Sequence, residues 1–245
     1  MQKPRILFFD VETAPVLAWV WRTGYKLNIG HDQIKKGQKF DIICICYKWS
    51  DESKIHSLDW GVNKQDSTKM IEEFSKVVEQ ADIVVAHNAD KFDIKQINTQ
   101  RLIKSLPPLD WPTSSDTLKQ FRKYFALPSY KLDYISSLLL KTGKDRMIFQ
   151  DWIDIVEDKN PQAMEKMIKY CVKDVKMLNG VYKKAAKWFK PKLHVGVLNG
   201  LRARSSCPDC GSQESSSKGR KYTATRVYQR RLCSKCGRQY QGELL

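Results

Sequence analysis

No stretch of this 245-residue chain approaches the roughly 18 consecutive apolar residues that a membrane-spanning helix needs. Met1 to Arg5 carries no long apolar segment of a secretory signal, and no internal repeat is visible. Histidine is scarce. His31, His56, His87 and His194 show no ligand spacing, so none is assigned to catalysis, although His87 is placed to hydrogen-bond locally. A disulfide framework is missing as well: four of the seven cysteines fall into Cys-x-x-Cys pairs, and Cys44, Cys46 and Cys171 sit in apolar or helical settings that suit a core. A reducing compartment is expected, cytoplasmic or nucleoid-associated or, for a viral protein, the host compartment where viral DNA is processed. No membrane partner is expected, and no oligomeric state is legible.

Acid is in short supply against base. The net charge is +16, from 43 Lys/Arg and 27 Asp/Glu, and +7 of it lies from Asn199 onward. Both parts are basic and the tail is denser, which favours a polyanion such as nucleic acid over a neutral partner. Generic solubility is the competing account of such a surface.

Arg5 to Phe9 is a short apolar run ending at Asp10, a buried strand by pattern. Asp41 to Trp49 reads as a second strand, with Lys54 to Leu58 as its antiparallel partner across Ser50-Asp51-Glu52-Ser53. Ser67 to Val78 is an amphipathic helix that places Met70, Ile71, Phe74, Val77 and Val78 on one face, capped by Ser67 or Asp66. Ile83 to Ala86 has the wholly apolar character of a central parallel strand. Helices are expected from Phe92 to Lys104, from Ser115 through Tyr124, from Leu132 to Leu140, and from Pro161 toward Phe189, with Pro161 in the first turn. The order points to an α/β layer with a mixed sheet flanked by helices. Residues 191–206 read as a linker, and a small module follows from Cys207.

Three acidic segments carry the chemistry. Strand periodicity turns Asp10 and Glu12 to one side while Val11 points away. Two anions so close repel unless a cation separates them, and Mg²⁺ or Mn²⁺ prefers oxygen ligands. Asp93 follows the Ile83–Ala86 strand by a few residues, at the sheet edge where ligands of open α/β folds bind. Asn88 braces that turn and Phe92 packs beneath it. Tyr170 and Asp174, four apart on a helix, share a face. Each segment alone has a bland account, as a solvated strand end, a helix cap or a surface ion pair.

Together they resemble the DEDD superfamily of 3′–5′ exonucleases, which have a ribonuclease H-like fold. Phe-Phe-Asp10-Val-Glu12-Thr resembles its first motif, His-Asn88-x-x-x-Phe-Asp93 its second, and Tyr170-x-x-x-Asp174 its third in the tyrosine form. A histidine subclass would place its histidine where this chain has Lys169. The segments Ser115-Asp116-Thr117-Leu118 and Lys131-Leu132-Asp133-Tyr134 resemble those of family B DNA polymerase proofreading domains and their standalone, often viral, relatives. The resemblance covers about residues 5–180. It implies two Mg²⁺ or Mn²⁺ ions, with Asp10 bridging both, Glu12 and Asp174 helping to hold one, Asp93 acting largely through the second ion and its waters, and Tyr170 orienting the attacking water. It implies Thr13 as a contact to the terminal nucleotide, with Asn88 and Phe92 as further substrate contacts.

Cys207-Pro-Asp-Cys210-Gly and Cys233-Ser-Lys-Cys236-Gly suit one tetrahedral zinc, which a piece this small needs in order to fold. Between the pairs, Lys221 to Leu232 roughly alternates, as in a β-hairpin, so the module resembles a zinc ribbon. Its cations include Lys218, Arg220, Lys221, Arg226, Arg230, Arg231, Lys235 and Arg238, with exposed tyrosines placed to stack on bases. Protein docking is the rival role.

Trp19, Trp21 and Tyr25, accompanied by Arg22, Lys26, Lys35, Lys36 and Lys39, leave two readings open: a flap that clamps a single strand through Trp21, or an elaboration covering the sheet. The expected division is an exonuclease domain over residues 1–190, a linker over 191–206 and a zinc ribbon over 207–245. The expected activity is metal-dependent hydrolysis of single-stranded DNA or frayed 3′ ends to 5′-mononucleotides. Exoribonuclease, structure-specific endonuclease and non-catalytic nucleic-acid adaptor are the alternatives. DNA is the expected partner, with a DNA polymerase or another replication or recombination protein as a second.

Overall fold

The computed structural model describes residues 2–245 apart from Tyr25, Lys39 and residues 144–146; the readings placed on Tyr25 and Lys39 therefore lie outside the described residues. A five-stranded sheet in the order β3-β2-β1-β4-β5 forms the centre. Strand β1 (Ile6–Thr13) pairs antiparallel with β2 (Ile42–Trp49), which pairs antiparallel with β3 (His56–Asp59). On its other side β1 runs parallel to β4 (Ile83–Val85), and β4 to the two-residue β5 (Thr113–Ser114). The sheet is mixed, as the order of elements implied.

The alternation of β1 sets the layers. Phe9 meets Phe74 of α1 (Thr68–Val78) at 5.4 Å and Trp111 at 6.0 Å on one face. Phe8 turns the other way, onto Tyr182 of the long helix α6 (Pro161–Ala185), edge to face at 5.3 Å. Both phenylalanines are almost wholly buried, which stabilises the fold by about 2 kcal/mol or more each. α2 (Asp93–Ile103) packs beside α1, while α4 (Leu132–Leu140) and α5 (Phe149–Val156) pack on α6. α3 (Thr117–Tyr124) starts at Asp116, whose side chain accepts from the Lys119 amide.

Several expectations change in detail. β1 continues through Asp10 to Thr13 because β2 keeps pairing with it. At α1 the capping carboxylate is Asp66, which accepts from the Thr68 amide at 3.0 Å, while the Ser67 hydroxyl turns inward to Asp41. Val77 is only half-buried. α5 and β5 had no strong sequence signal, since one follows a short polar stretch and the other has two residues. Asn160 caps α6, accepting from the Gln162 and Ala163 amides at 2.9 and 3.2 Å, with Pro161 in the first turn.

The segment after β1 does not cover the sheet with its tryptophans. Leu17 and Trp19 hydrogen-bond to Lys35 and Gln33 as the two arms of a hairpin, and Trp19 and Trp21 stand 75% and 101% exposed. Residues 191–206 contain a short helix, α7 (Val195–Leu198), with Val195 and Gly196 buried. Beyond it, β6 (Ser215–Tyr222), β7 (Val227–Cys233) and β8 (Gln239–Leu244) form a three-stranded antiparallel sheet, one strand more than the expected hairpin. Among the described residues no helix is long and apolar enough to cross a membrane.

Candidate metal centres

The acids are delivered by three elements. Asp10 and Glu12 leave β1 on the Phe8 face, the side covered by α6. Eight residues before Tyr182, one face of α6 brings Asp174 to them. Ligand oxygens of Asp10, Glu12 and Asp174 all lie within 4.8 Å of one another. At that spacing two bare carboxylates repel by about 3 kcal/mol at an effective dielectric near 20. The chemistry of this donor set, all oxygen and all anionic, fits a hard divalent cation.

Asp93 reaches the same place from behind the strand. It is 1% exposed, and burial pushes its carboxyl up to about 7, a direction the charge of Asp116 reinforces, against hydrogen bonds from its own amide and that of Val11. β4 leaves β1 after the Phe8–Val85 pair, so Asp93 meets the strand at Val11, between the two acids. Its Oδ2 is buried without a hydrogen-bond partner among the described residues. An oxygen in that state suits a cation's hydration shell. Asp93 stands beside the three clustered acids rather than among them.

The turn before Asp93 is held by Asp116, a residue with no ligand-like signal of its own in the sequence. Asp116 Oδ1 accepts from the Asn88 amide at 3.2 Å and the Lys119 amide at 3.1 Å, and its Oδ2 from the Asp90 amide at 3.3 Å. Asn88 takes φ +80°, which asparagine tolerates better than most side chains. The His87 ring lies 2.9 Å from Thr117 Oγ1 and 2.8 Å from the Tyr130 carbonyl, so it braces the loop. Under Asp10, the Cys171 thiol lies 3.6 Å from its carbonyl and 3.8 Å from Oδ2. Burial holds that thiol protonated, able to donate.

A cavity of about 860 Å³ opens over the acids, lined by Asp10, Glu12, Asn88, Phe92, Tyr170 and Asp174. Tyr170 stands edge to face with Trp152 at 6.5 Å. The opposite wall comes from α3, α4 and their connection, including Arg122, Tyr130 and Lys131. Arg122 and Tyr130 belong to no motif in the sequence, and Lys131 is marked only by the Lys131-Leu132-Asp133-Tyr134 segment. Thr13 is half-buried at the irregularity ending β1 and does not line the cavity. Trp21 borders a separate hollow of about 510 Å³ with Arg22, Lys26 and Gln33.

The second cluster is made of sulfur. Cys207 and Cys236 thiols lie 3.5 Å apart, and Cys210 and Cys233 3.6 Å. Tetrahedral zinc with bonds of about 2.3 Å would separate its sulfurs by about 3.8 Å. The two halves repeat one local design. Gly211 and Gly237 amides close back onto Cys207 and Cys233 at 2.8 and 3.0 Å, with φ +71° and +73°, which a side chain would oppose. All four thiols are free. Burial works against the Cys233 thiolate, yet amides of Cys236 and Lys235 and the Cys210 thiol bring it down to about 7.

On the sheet of this module Arg220, Lys221, Arg226 and Arg230 are exposed, as is Tyr222. The expected contact Arg231 is not, and neither is Tyr228. Tyr228 is 6% exposed beneath the Arg204 guanidinium at 4.7 Å, and Arg231 lies over Gly242 and donates to Ser215 at 3.2 Å. Three apart, they would fall on opposite faces of a regular strand; the irregularity between Tyr228 and Arg230 turns both inward.

The RNase_H superfamily model matches residues 27–186. The chain belongs to the RNase H superfamily. The match begins beyond Asp10 and Glu12, whose strand the structure adds to it. A family B DNA polymerase from the hyperthermophilic archaeon Pyrobaculum calidifontis is similar in structure, with a TM-score of 0.57 at 13% identity over 94% of this chain. The chain spans about a third of that polymerase, which is 32% covered. At this identity the likeness is one of fold. No curated protein matches. An RNase H-type fold with carboxylates clustered on its central strand is a scaffold suited to metal-dependent cleavage of nucleic acid.

Proposed function

We propose that the chain removes nucleotides from the 3′ end of single-stranded DNA, or of frayed duplex ends, as 5′-mononucleotides. The convergence of Asp10, Glu12 and Asp174 within 4.8 Å beneath one cavity, with Tyr170 on its rim, carries this reading. Those three carboxylates would hold Mg²⁺ or Mn²⁺, with Asp93 serving a second ion through water. Such ions, when bound, lower the pKa of water and stabilise the leaving oxygen. The Tyr170 hydroxyl orients the attacking water. Phe92 and Tyr130 offer ring faces to the terminal bases, and Arg122 and Lys131 meet phosphates on the wall facing the acids. A 3′ terminus must enter unpaired to reach so recessed a floor.

The four cysteines would hold one zinc ion whose role is structural. Residues 1–190 form the hydrolytic unit and 207–245 the ribbon, whose Arg220, Lys221, Arg226 and Arg230 contact nucleic acid; a DNA polymerase is the protein partner that the structural likeness suggests. Thr13 would contact the terminal nucleotide, and Trp21 the single strand beyond it.

The decisive experiment is a time course on 3′-labelled and 5′-labelled single-stranded DNA, matched RNA and circular DNA, with magnesium, with manganese and with EDTA. Stepwise shortening from the 3′ end of DNA, circular DNA left intact and silence in EDTA are expected. Shortening from the 5′ end or internal cuts in the circle would overturn the polarity. Faster loss of RNA would move the reading to an exoribonuclease.

A further inference from the structure

The four-cysteine module docks at the opposite end of the central sheet from the acids. Its first knuckle, through Pro208 and Asp209, shares a cleft with Pro4, Ile6, Ile83 and Tyr182, where β1 and β4 begin. Asp10 and Glu12 lie further along β1, at about 3.3 Å per residue, so roughly 13–20 Å separates them from that end. The helix provides a second ruler. Arg238 donates to the Lys187 carbonyl, and to that of Phe189 at 2.7 Å, just past the end of α6. From Asp174 to that point is about 20 Å of helix. The module is held in place there. Arg238 also meets Asp209 at 3.6 Å, and Asn199 exchanges two hydrogen bonds with Gln2, at 2.7 and 2.9 Å.

Between the two ends runs a row of one sign. From Lys166 to Lys190 the chain has eight lysines and a single acid, the buried Asp174. Lys169, Lys176 and Lys183 recur at seven-residue intervals with Lys173 between them, so they share a side of α6, and Lys187 and Lys190 follow just past its end. Lys169 is paired with Glu165 at 2.6 Å. Among the described residues, Lys176, Lys183 and Lys187 join no ion pair. α1 shows the usual alternative, an exposed lysine facing a carboxylate one turn on, Lys69 to Glu73. The charge of the row reaches its neighbours: Lys48 of β2 is held below the usual amine range, first by burial and then by Lys183, against Glu52 and Asp51, and Lys187 acts on Asp209 of the first knuckle. Lys173 lies one turn from Tyr170 and joins the row to the rim of the acid cavity.

We propose that this lysine row is a binding surface for the nucleic-acid backbone, which carries the strand from the acid cavity to the ribbon sheet. The inference rests on the reading of the substrate as nucleic acid. It makes the chain a two-ended grip about 20 Å long, which is about six nucleotides of stacked strand. Shorter oligonucleotides reach the cavity alone, and longer ones gain the row and the sheet without further loss of freedom.

Binding is measured on the full chain in buffer without added magnesium or manganese, using end-labelled single-stranded DNA of about 4 to about 30 nucleotides over a series of salt concentrations. The variant Lys176→Gln/Lys183→Gln/Lys187→Gln is compared with Lys69→Gln/Lys76→Gln/Lys95→Gln, which removes equal charge from α1 and α2. The first should bind a strand of about 20 nucleotides at least about tenfold more weakly, with a salt slope shallower by about 2, and leave the shortest strand unaffected. Equal losses from both triple variants, or an unchanged slope, would overturn the proposal. If the triple variant melts early, Lys183→Gln alone should lower the slope by about 0.7, and no change would count against the row. Manganese-dependent hydrolysis of the shortest strand is scored separately. Its absence in the unmodified chain would end the nuclease reading while leaving the length-dependence of binding to be judged by itself.

Discussion

Asp10 and Asp174 stand 164 residues apart and meet only because a strand and a helix pack face to face, whereas Cys207 to Cys236 span 30 residues and arise from two copies of one tight turn. The acids are hard, partly open donors under a large cavity. The thiols are soft, closed around their own centre and braced by backbone amides. A site that must admit a substrate needs vacant positions on its metal, while one that only holds a fold uses every ligand. In this chain, then, long-range packing builds the working site and local turns build the support.

The severest test of that contrast is Asp10→Ala, which should lower hydrolysis at least about 10³-fold, the scale of a lost metal contribution of several kcal/mol. Thermal stability should hold or rise, because one of three crowded anions is gone. Retained activity, measured on short labelled DNA, would dissolve the contrast. Next is Cys210→Ser. It should abolish stoichiometric zinc, read by elemental analysis, and unravel the module, while hydrolysis of a strand of about 4 nucleotides falls no more than about threefold. A folded, metal-free ribbon would show that the thiols need no ion.

Tyr170→Phe should slow turnover roughly fivefold with little effect on affinity, since one hydrogen bond to the attacking water is worth about 1 kcal/mol. A pure affinity loss would reassign the ring to substrate stacking. The smallest effect is one of pH. Asp93 has a folded pKa near 7 against an ordinary 3.8, so below 3.8 it is protonated folded and unfolded alike, and its contribution is whole. As pH rises from about 4 to 7 the unfolded chain releases this proton while the folded one keeps it, so stability falls until the buried carboxyl itself ionises near 7. Melting without divalent ions should therefore drop by a few degrees across that window, and Asp93→Asn should flatten the slope. Added magnesium or manganese should raise the melting of the unsubstituted chain at pH 8 and that of the variant by less, since Asp10, Glu12 and Asp174 remain in both.

Much of the fold was legible because its signals are local. The apolar run before Asp10, the amphipathic spacing of α1 and Pro161 after Asn160 each announce an element in a few residues. α5 escapes such a reading because its buried face is small, and β5 because two residues carry no period. Trp21 illustrates the opposite failure. Tryptophan's usual burial made a core cover attractive, yet here the hairpin arms are joined by backbone hydrogen bonds and the rings stand outside. Tyr228 and Arg231 both turn inward because β7 has an irregularity between Tyr228 and Arg230, which no alternation pattern announces.

The thiol knuckles, the pairing of Asp10 with Glu12 on one strand face, and that of Tyr170 with Asp174 on one helix face are written into the order of residues, since each follows from a repeat of two to four positions. Folding in three dimensions was needed to bring those two faces together, to lead Asp93 in from behind Val11, to set Asp116 against its turn, and to seat the ribbon at the far end of α6. Those facts depend on how twisted layers stack and where β4 leaves β1, and no local periodicity encodes that.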